Sequence, residues 1–378
     1  MNEDLSSWLE LRSVKGVGPS TLSRLVLEFG SPRAVQAATA TALVEQGGVS
    51  LAVAERIHQR PDPQTRLAID QELQALENHK AISICTILDA DYPSRLRTIP
   101  DPPPLLYVTG QLEKVDDHAI AVVGSRNATP GGQVFTRALS RELASAGFTV
   151  VSGLARGVDQ AAHRGALDSS SGRTLAVLGC GIDRTYPMEH KALREHIECR
   201  GAIISELSLG AEPHGYHFPQ RNRIISGLSL GVVVTEATEN SGSLITTRFA
   251  LEYNREVFAV PGAVTNKMAR GAHQLIKQGA KLVESIDDIL VEILPLLEKP
   301  FVEGVTTRRL TEEQPTCALS EQEQAVYTQI SLEPITLEDL LSQDCGLTSE
   351  VMGVLLSLEM KGLIQRIAGA QYIRSSVQ

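Results

Sequence analysis

Apolar runs alternate with amphipathic segments through the middle of the chain. Between residue 119 and about residue 295, short runs rich in Val, Ile, Leu and Ala recur, and most gaps between them have helical periodicity. This alternation predicts a Rossmann-like, doubly wound α/β domain with a parallel sheet. The predicted strands are 119–124, 148–152, 174–179, 202–206, 231–236, 256–260 and 281–284. Ligands of such sheets bind at the carboxyl ends of the strands, so the loops there are the candidate site.

The pattern before this region predicts a separate helical domain over residues 1–80. Val14–Val26 has the apolar-Gly-apolar-Gly spacing of a helix-hairpin-helix, and 47–57 is a weaker copy. A helical, SAM-like domain of this kind offers backbone N–H groups to a DNA phosphate. A protein-contact role fits the same pattern equally well. The α/β domain would then cover residues 81–297, with a short edge strand at 105–109.

The end of the chain predicts a linker followed by a winged helix. Residues 298–317 carry Pro and Gly without periodicity, as a flexible linker does. Residues 318–378 predict three helices and a two-stranded wing. The presumed recognition helix has Lys361 as its only cation, whereas a major-groove reader uses Arg, Lys, Asn or Gln. A protein-contact or regulatory role is therefore favoured over reading of duplex sequence.

The first strand of the α/β domain leads into a loop with candidate chemistry. Gly124, Ser125 and Arg126 follow the strand, and Thr129 is placed to cap the next helix. Free N–H groups and the helix dipole favour an anion there, and Arg126 adds a positive charge. An ordinary strand-to-helix turn with a surface Arg is the alternative. Because the Gly-x-Gly-x-x-Gly fingerprint is absent, we expect no dinucleotide cofactor.

Aromatic and basic residues meet in one further segment. His217 and Phe218 precede Arg221, Asn222 and Arg223 at the start of an apolar helix, in a chain with only 4% aromatic residues. Aromatic faces stack on unpaired bases, and Arg holds phosphates. The alternative is that Phe218 packs the helix entry and the arginines form internal salt bridges; one of the two arginines is expected to be structural.

Glycines, hydroxyls and cations recur on the other loops at the carboxyl ends of the strands. The candidate DNA-binding residues are Gly124, Ser125, Arg126, Gly153, Arg156, Gly157, His217, Phe218, Arg221, Asn222, Arg223, Ser241, Gly242, Ser243 and Lys267. The pattern predicts neither a catalytic carboxylate–His or Cys–His pair nor metal-ligand spacing. These loops suit holding a phosphate backbone better than breaking bonds.

Composition narrows the class of protein. With 42% hydrophobic and 21% charged residues, the chain has an ordinary globular composition, and no apolar run reaches membrane-spanning length. The acidic start is not a secretory signal, and the five cysteines are scattered, so we expect a cytoplasmic protein with reduced thiols. The net charge of −10 disfavours diffuse duplex binding but leaves room for a local basic groove.

Several segments together resemble one family. They are Val122–Arg126, Ser152–Asp159, Ala176–Gly179 with Tyr186-Pro187, His217–Gly227, Ser241–Thr246 and Val257–Gly262. In these segments, and in its helical front and winged tail, the chain resembles the DNA-processing protein A family of bacteria (DprA, also called Smf). The resemblance implies a non-enzymatic protein without a cofactor that binds single-stranded DNA. It would protect incoming DNA in natural transformation and load the RecA recombinase. It also implies a dimer, which we expect to form through the α/β domain.

The resemblance carries over to particular positions. The family's phosphate-binding Arg falls on Arg126, its stacking aromatic on Phe218, and its Arg-Asn-Arg on 221–223. Family members often have Lys where this chain has Gly215, beside His214. This departure predicts weaker or more pH-sensitive binding of single-stranded DNA than in members with Lys.

Three other functions remain open from the sequence. The related lysine-decarboxylase-like phosphoribohydrolases have the same sheet, but residues 237–243 lack their Pro-Gly-Gly-x-Gly-Thr loop and catalytic Glu. A transcription regulator would use the winged domain on duplex DNA. A role in general recombination or DNA maintenance would suit a host that does not take up DNA.

Overall fold

The computed structural model describes most of the chain. It covers residues 2–298, 301, 304–305, 320–331, 334–341, 348–361, 363–367 and 371–374. The first part consists of helices α1 (Asn2–Ser13), α2 (Pro19–Phe29), α3 (Pro32–Ala37), α4 (Ala40–Glu45), α5 (Leu51–Ile57) and α6 (Pro63–Asn78).

The two hairpins predicted in this helical domain are held against each other by arginines. Arg24, on α2, donates from Nη2 to the Gly48 carbonyl at 3.2 Å. Arg56, on α5, donates to the Lys15 carbonyl. Each hairpin is thus fixed by the second helix of the other hairpin, so the weaker repeat predicted from the sequence is a structural counterpart of the first.

A nine-stranded sheet follows. Its strands are β1 (Ser83–Thr86), β2 (Leu105–Gly110), β3 (Ala119–Val123), β4 (Thr149–Ser152), β5 (Arg173–Val177), β6 (Gly201–Ser205), β7 (Gly231–Val234), β8 (Glu256–Ala259) and β9 (Lys281–Leu282). The order across the sheet is β1-β2-β6-β5-β4-β3-β7-β8-β9. Strands β3 to β9 are parallel, whereas β1 and β2 pair antiparallel. The predicted Rossmann-like fold is confirmed.

The sequence predicts that the strand over 105–109 lies at the edge of the sheet. In the structure this strand is inside the sheet. β2 lies between β1 and β6 and pairs with both. The edge position belongs to β1, which is not among the predicted strands.

Helices cover both faces of the sheet. They are α7 (Ser94–Arg97), α8 (Pro130–Ser145), α9 (Val158–Asp168), α10 (Lys191–Arg200), α11 (His217–Leu228), α12 (Ser243–Glu252), α13 (Arg270–Lys277) and α14 (Ile286–Ile293). Successive residues of β3 alternate between the two sides: Ala121 and Val123 belong to one core cluster, Ile120 and Val122 to the other. Burial on both faces explains why this strand is apolar throughout.

The strand order reverses beside β3. β3 pairs with β4 on one side and with β7 on the other, although β7 comes much later in the chain. The loops after β3 and β7 therefore leave the sheet in different directions and open a crevice between them. In doubly wound sheets this is the position where ligands bind.

The last part of the chain has the predicted winged-helix elements. They are α15 (Glu321–Gln329), β10 (Ile335–Thr336), α16 (Leu337–Leu341), α17 (Thr348–Met360), β11 (Ile364–Ile367) and β12 (Gln371–Arg374). The wing is the antiparallel pair β11–β12. Lys361, the lone cation of the presumed recognition helix, donates to Glu323 at 2.6 Å, so its charge is neutralised within the domain.

The start of the predicted linker packs on the α/β domain. The Phe301 ring stacks on His118 with 4.1 Å between ring centroids, and Val305 is buried in a core cluster. Residues 306–319, including most of that linker, lie outside the described residues.

Candidate nucleic-acid interface

A cavity of about 560 Å³ opens at the crevice between β3 and β7. We call it the β3–β7 cavity. Most of the predicted binding residues line it: Gly124, Ser125, Arg126, Phe218, Arg221, Asn222, Ser241, Gly242 and Ser243. Sequence reasoning missed further lining residues, among them Asp159, Tyr186 and Thr246. A volume of this size is in the range of pockets that enclose one small ligand or one nucleotide unit.

Arg126 and Phe218 form the mouth of the β3–β7 cavity. The Arg126 guanidinium carbon lies 4.9 Å from the centre of the Phe218 ring, a cation–π distance. Arg126 is exposed and makes no ion pair with any carboxylate of the described chain. The Phe218 ring rests against the backbone of Gly179, where a Cβ would come within 2.8 Å of it. The Arg126 guanidinium therefore lies over the Phe218 ring at the mouth of the cavity.

The loop that carries Arg126 is fixed by Glu236. The Ser125 amide donates to the Glu236 carbonyl at 2.7 Å. The Glu236 carboxylate accepts from the Thr129 amide and the Thr129 hydroxyl, both at 2.7 Å. Gly132 makes room for this carboxylate, since a Cβ there would lie 2.4 Å from its carbon. These contacts hold the loop at both ends.

This arrangement corrects one expectation. From the sequence, free N–H groups and the helix dipole at the start of α8 favour an external anion there. In the structure Thr129 caps the Gly132 amide at 3.0 Å, and the neighbouring anion is the Glu236 carboxylate of the chain itself. Arg126 at the mouth, rather than the start of α8, is the part of this loop that remains open to a phosphate.

Gly153 and Gly157 lie outside the lining of the cavity, and both make room for its components. A Cβ on Gly153 would lie 1.5 Å from Nη1 of Arg221. A Cβ on Gly157 would lie 2.3 Å from the Ser125 carbonyl oxygen, and Gly157 has a φ of +72°. Their contribution in the structure is to the position of Arg221 and of the Ser125 loop; direct contact with DNA stays a prediction.

Arg221 and Arg223 of α11 have different surroundings. Arg221 lines the β3–β7 cavity and donates from Nη1 to the Val177 carbonyl at 3.0 Å. Arg223 is buried away from the cavity; it forms ion pairs with Glu206 and with Asp101, the latter at 3.3 Å. Arg223 is therefore the structural arginine that the sequence analysis expected in this pair.

The first turn of α12 forms the opposite wall. Asn222 donates from Nδ2 to the Gly242 carbonyl at 3.2 Å and so joins α11 to this turn. The hydroxyls of Ser241 and Ser243 lie 2.7 Å apart. Thr246 follows three residues after Ser243, on the same face of the helix, so the helical period could have identified it as a lining residue.

Three other predicted residues are exposed or half-buried but do not line the cavity. Arg156 pairs with Glu189. His217 donates from Nδ1 to the Glu212 carbonyl at 3.0 Å. Lys267 lies in the loop after β8 and is exposed. Their contact with a ligand stays a prediction.

Two tyrosines lie in contact with Phe218 or with the residue before it. Tyr186 lines the cavity with its ring centroid 5.6 Å from that of Phe218. Tyr216 is 61% exposed and contacts the His217 ring at 4.4 Å. Tyr186 lies in the loop after β5, at the same carboxyl edge of the sheet, although it is not among the candidate residues predicted from the sequence.

The charges lining the β3–β7 cavity are two arginines and one carboxylate. Burial raises the pKa of Asp159, even though Arg221 acts in the opposite direction. Burial likewise lowers the pKa of Arg221, and Arg126 lowers it further. The lining thus carries one more basic than acidic side chain, in a chain with net charge −10. It therefore favours a negatively charged ligand at this position.

His163 of α9 is a buried residue with a structural role. It is fully buried and lies 2.8 Å from the Thr174 hydroxyl through Nδ1, while the Leu154 amide donates to Nε2 at 3.3 Å. Burial lowers its pKa to about 3, so the ring is neutral.

The described residues lack two kinds of feature. None of their His, Cys, Asp and Glu side chains are grouped so that they could hold a metal ion. Among the same residues, no helix combines the length and apolar character needed to cross a bilayer.

Comparison with known proteins shows to which family the chain belongs. The model of "DNA recombination-mediator protein A" matches residues 83–294, and that of the "DprA winged helix domain" matches residues 311–370. The chain belongs to the DNA recombination-mediator protein A family. The first of these matches spans the sheet, the β3–β7 cavity and all the helices that line it. The cavity therefore lies within the part of the chain that is similar to DprA proteins.

Individual DprA relatives agree with the assignment. Protein Smf of Synechocystis is 35% identical over 405 aligned positions, which cover 99% of each chain. The X-ray structure of DprA from Streptococcus pneumoniae has a TM-score of 0.65 at 36% identity and covers 78% of this chain and 98% of its own. DprA from Helicobacter pylori, whose structure is described as giving insight into its single-stranded DNA binding mode, has a TM-score of 0.51 at 30% identity, covering 57% and 97%.

Proposed function

We propose that the chain binds single-stranded DNA in the β3–β7 cavity. One observation carries this proposal. Arg126, which is exposed and has no carboxylate partner among the described residues, contacts the Phe218 ring at the mouth of a cavity lined by two arginines and one carboxylate. The cation would hold a phosphate, and the aromatic face would stack on an unpaired base. Membership of the recombination-mediator family supports the same ligand, as does the single-stranded DNA binding mode described for the H. pylori protein.

A single strand fits this site better than a duplex does. In a duplex the base faces are stacked on one another and cannot reach Phe218 inside a concave site. A single strand can turn a base inward while its phosphates remain at the rim. The overall charge of −10 further opposes non-specific duplex binding.

Replacement of Arg126 tests the site. In Arg126→Ala, we expect the affinity for labelled oligo-dT to fall roughly thirtyfold, because a charge-assisted phosphate contact contributes about 2 kcal/mol. The slope of log affinity against log salt should also become shallower by about 0.7 for each phosphate that the protein no longer neutralises. Fluorescence anisotropy in a salt series, with the matching duplex as competitor, measures both quantities.

Arg164→Ala is the matched control. It removes the same charge from an exposed position on α9 that does not line the β3–β7 cavity. It should bind like the unmodified chain. If Arg126→Ala binds no more weakly than this control, Arg126 is not part of the binding site.

We further propose that the bound strand is passed to RecA and that this protects incoming DNA in natural transformation. Support comes from the family match to recombination mediators. RecA's ATP hydrolysis on an oligonucleotide precoated with single-strand-binding protein should begin sooner when the chain is added, and Arg126→Ala should lack this effect. RecA is a cytoplasmic recombinase, so this activity assigns the chain to the cytoplasm.

The proposal includes a homodimer formed through the α/β domain. β9 borders the sheet in the described structure, pairing with β8 alone, and Leu282 on this strand and Val291 on α14 are exposed. Exposed apolar residues at an open sheet edge suit a second copy. Sedimentation equilibrium of the full chain would measure the mass, and a monomer at the concentrations that bind DNA would contradict the dimer.

A further inference from the structure

A second cavity of the α/β domain opens between α9 and α10, with a volume of about 490 Å³. We call it the α9–α10 groove. Three arginines and three aliphatic residues are part of its lining: Arg137, Arg164, Arg200, Leu167, Ala192 and Leu193. None of these residues lines the β3–β7 cavity. A ligand in the groove and a strand in the β3–β7 cavity can therefore be bound at the same time.

The groove follows one side of α10. Ala192, His196 and Arg200 line it at intervals of four residues, so they lie on the same face of the helix. Arg200 also joins the two helices, because it donates from Nη1 to the Leu167 carbonyl of α9 at 2.9 Å. The groove is thus built into the packing of α9 against α10.

The arginines of the α9–α10 groove outnumber its acids. Arg137 is paired with Asp168, to which Nε and Nη2 donate at 2.5 and 2.8 Å. Arg200 donates to backbone carbonyls at the end of α9, which carry no net charge. Arg164 is exposed and makes no ion pair with a carboxylate of the described chain. Three arginines and one carboxylate leave two positive charges in the lining, so the groove favours a negatively charged ligand.

The apolar part of the lining indicates the class of this ligand. No aromatic ring lines the groove in the described structure, so an unpaired base would find no surface on which to stack. Leu167, Ala192 and Leu193 instead offer an aliphatic surface beside the arginines. Guanidinium groups match the geometry of carboxylates, and clusters of arginine recognise acidic peptide motifs. A peptide with carboxylates next to an aliphatic side chain fits both parts of the lining.

We propose that the α9–α10 groove binds an acidic peptide segment of a partner protein. A carboxylate of the peptide pairs with Arg164, and an aliphatic side chain next to it packs on Leu167 and Leu193. This inference goes beyond the proposed binding of single-stranded DNA and does not depend on it. The chain then holds a partner protein on one surface while the β3–β7 cavity stays open to a strand.

The test measures fluorescence anisotropy of a labelled peptide, Asp-Asp-Asp-Asp-Leu-Leu, with the full chain. We expect Arg164→Ala to bind this peptide roughly fivefold more weakly, as for the loss of an exposed ion pair. Ala192→Glu places a negative charge at an exposed position of the groove and should weaken binding by about the same factor or more. Arg248→Ala is the matched control, because it removes an exposed arginine of α12 that lines neither the groove nor the β3–β7 cavity. The control should bind the peptide like the unmodified chain.

Cys199 reports where the peptide binds, without any variant. It lines the groove and is exposed, whereas Cys85 and Cys180 are buried. Saturating peptide should protect Cys199 from alkylation by N-ethylmaleimide, and mass spectrometry of the digested chain identifies the modified cysteine. The same peptide with Asn in place of each Asp should give no protection, and oligo-dT should leave the alkylation rate unchanged.

Several results would overturn this inference. They are absence of peptide binding by the unmodified chain, equal peptide affinity in Arg164→Ala and Ala192→Glu, and equal affinity for the Asn peptide. Displacement of the peptide by oligo-dT would assign the peptide to the β3–β7 cavity instead. Weaker binding of oligo-dT by Arg164→Ala, with peptide binding unchanged, would make the groove a nucleic-acid contact. Loss of oligo-dT binding in Arg126→Ala with peptide binding intact is the expected result, and it separates the two sites.

Discussion

At the scale of single residues, the mouth of the β3–β7 cavity has room for a further cation. Gly215 lines the cavity, and a Cβ built there has no atom within 4 Å. The sequence resemblance indicates that relatives often have Lys at this position. The chain therefore presents Arg126 at the rim without a second cation from the segment before α11.

Gly215→Lys should strengthen binding of oligo-dT. An added ammonium at the rim gives one more phosphate contact, so we expect a roughly three- to tenfold higher affinity and a salt slope steeper by about 0.7. Anisotropy in a salt series measures both. Ser170→Lys is the control. This exposed residue precedes β5 and so lies at the amino ends of the strands, opposite the cavity. If the two variants gain equally, the gain comes from net charge and the site does not use position 215.

The two arginines of α11 show what single residues reveal before the structure is known. Arg221 and Arg223 are two positions apart, and a helix turns them about 200° away from each other. The two arginines of this short segment can therefore be expected to lie in different surroundings. Which arginine faces the cavity depends on Glu206 and Asp101, the partners of Arg223. These partners come from distant segments, so the local pattern could not have assigned the roles.

At the scale of elements, Glu236 joins the end of β7 to the start of α8. Its carboxylate receives the Thr129 amide and hydroxyl, and Nδ2 of Asn266 lies 3.4 Å away. It thus connects the loops after β3, β7 and β8. These loops are the ones that a ligand at the strand ends has to contact, so their relative position decides where Arg126 points.

Glu236→Ala should loosen this connection. The variant removes a buried, charge-assisted set of hydrogen bonds, so we expect the free energy of unfolding to fall by about 2–3 kcal/mol. Oligo-dT affinity should fall as well, because the Arg126 loop loses its anchor. Urea unfolding and anisotropy measure the two effects. Glu239→Ala, at an exposed acid of the same loop, is the control and should change neither. Normal binding by a folded Glu236→Ala chain would show that the anchor is dispensable.

The elements also mark the limit of prediction from local patterns. Apolar runs located the parallel strands β3 to β7 because each is buried on both faces. The same patterns could not place β2 inside the sheet, since its position depends on antiparallel pairing with β1 and β6. Nor could they identify Glu236 as the anion at α8, because a carboxylate 107 positions from Thr129 leaves no periodic signal.

At the scale of the whole molecule, the parts are chemically distinct. The α/β domain lines the β3–β7 cavity with more basic than acidic side chains, although the chain carries a net charge of −10. The winged helix neutralises Lys361 internally. This pairing does not favour duplex reading by the helix that carries Lys361, and the proposed binding of DNA lies in the α/β domain. The proposed binding of DNA by the α/β domain should therefore depend on salt, and the stability of the winged helix should depend on acid.

The winged helix has an acid-sensitive contact of its own. Glu323, at the start of α15, accepts from Lys361 and from the Ser357 hydroxyl, so it ties α15 to the end of α17. The Lys361 hydrogen bonds, with those from Ser357 and the Ser320 amide, lower the pKa of Glu323 to about 2. Because the folded pKa lies below the unfolded value near 4.5, the stabilisation is complete above pH 4.5 and is lost as the pH falls toward 2.

Calorimetric unfolding of the full chain between pH 2 and pH 6 should therefore show the winged-helix transition moving to lower temperature below about pH 4.5. In Glu323→Gln this transition should begin at a lower temperature at neutral pH and change less with acid, because the group that titrates is absent. Truncation after residue 317, which keeps Phe301 and Val305 on the α/β domain, identifies the transition by removing it. If Glu323→Gln keeps the full pH dependence, another carboxylate controls the acid stability of the domain. Binding of oligo-dT at neutral pH should remain unchanged in this variant, because the β3–β7 cavity lies in the other domain.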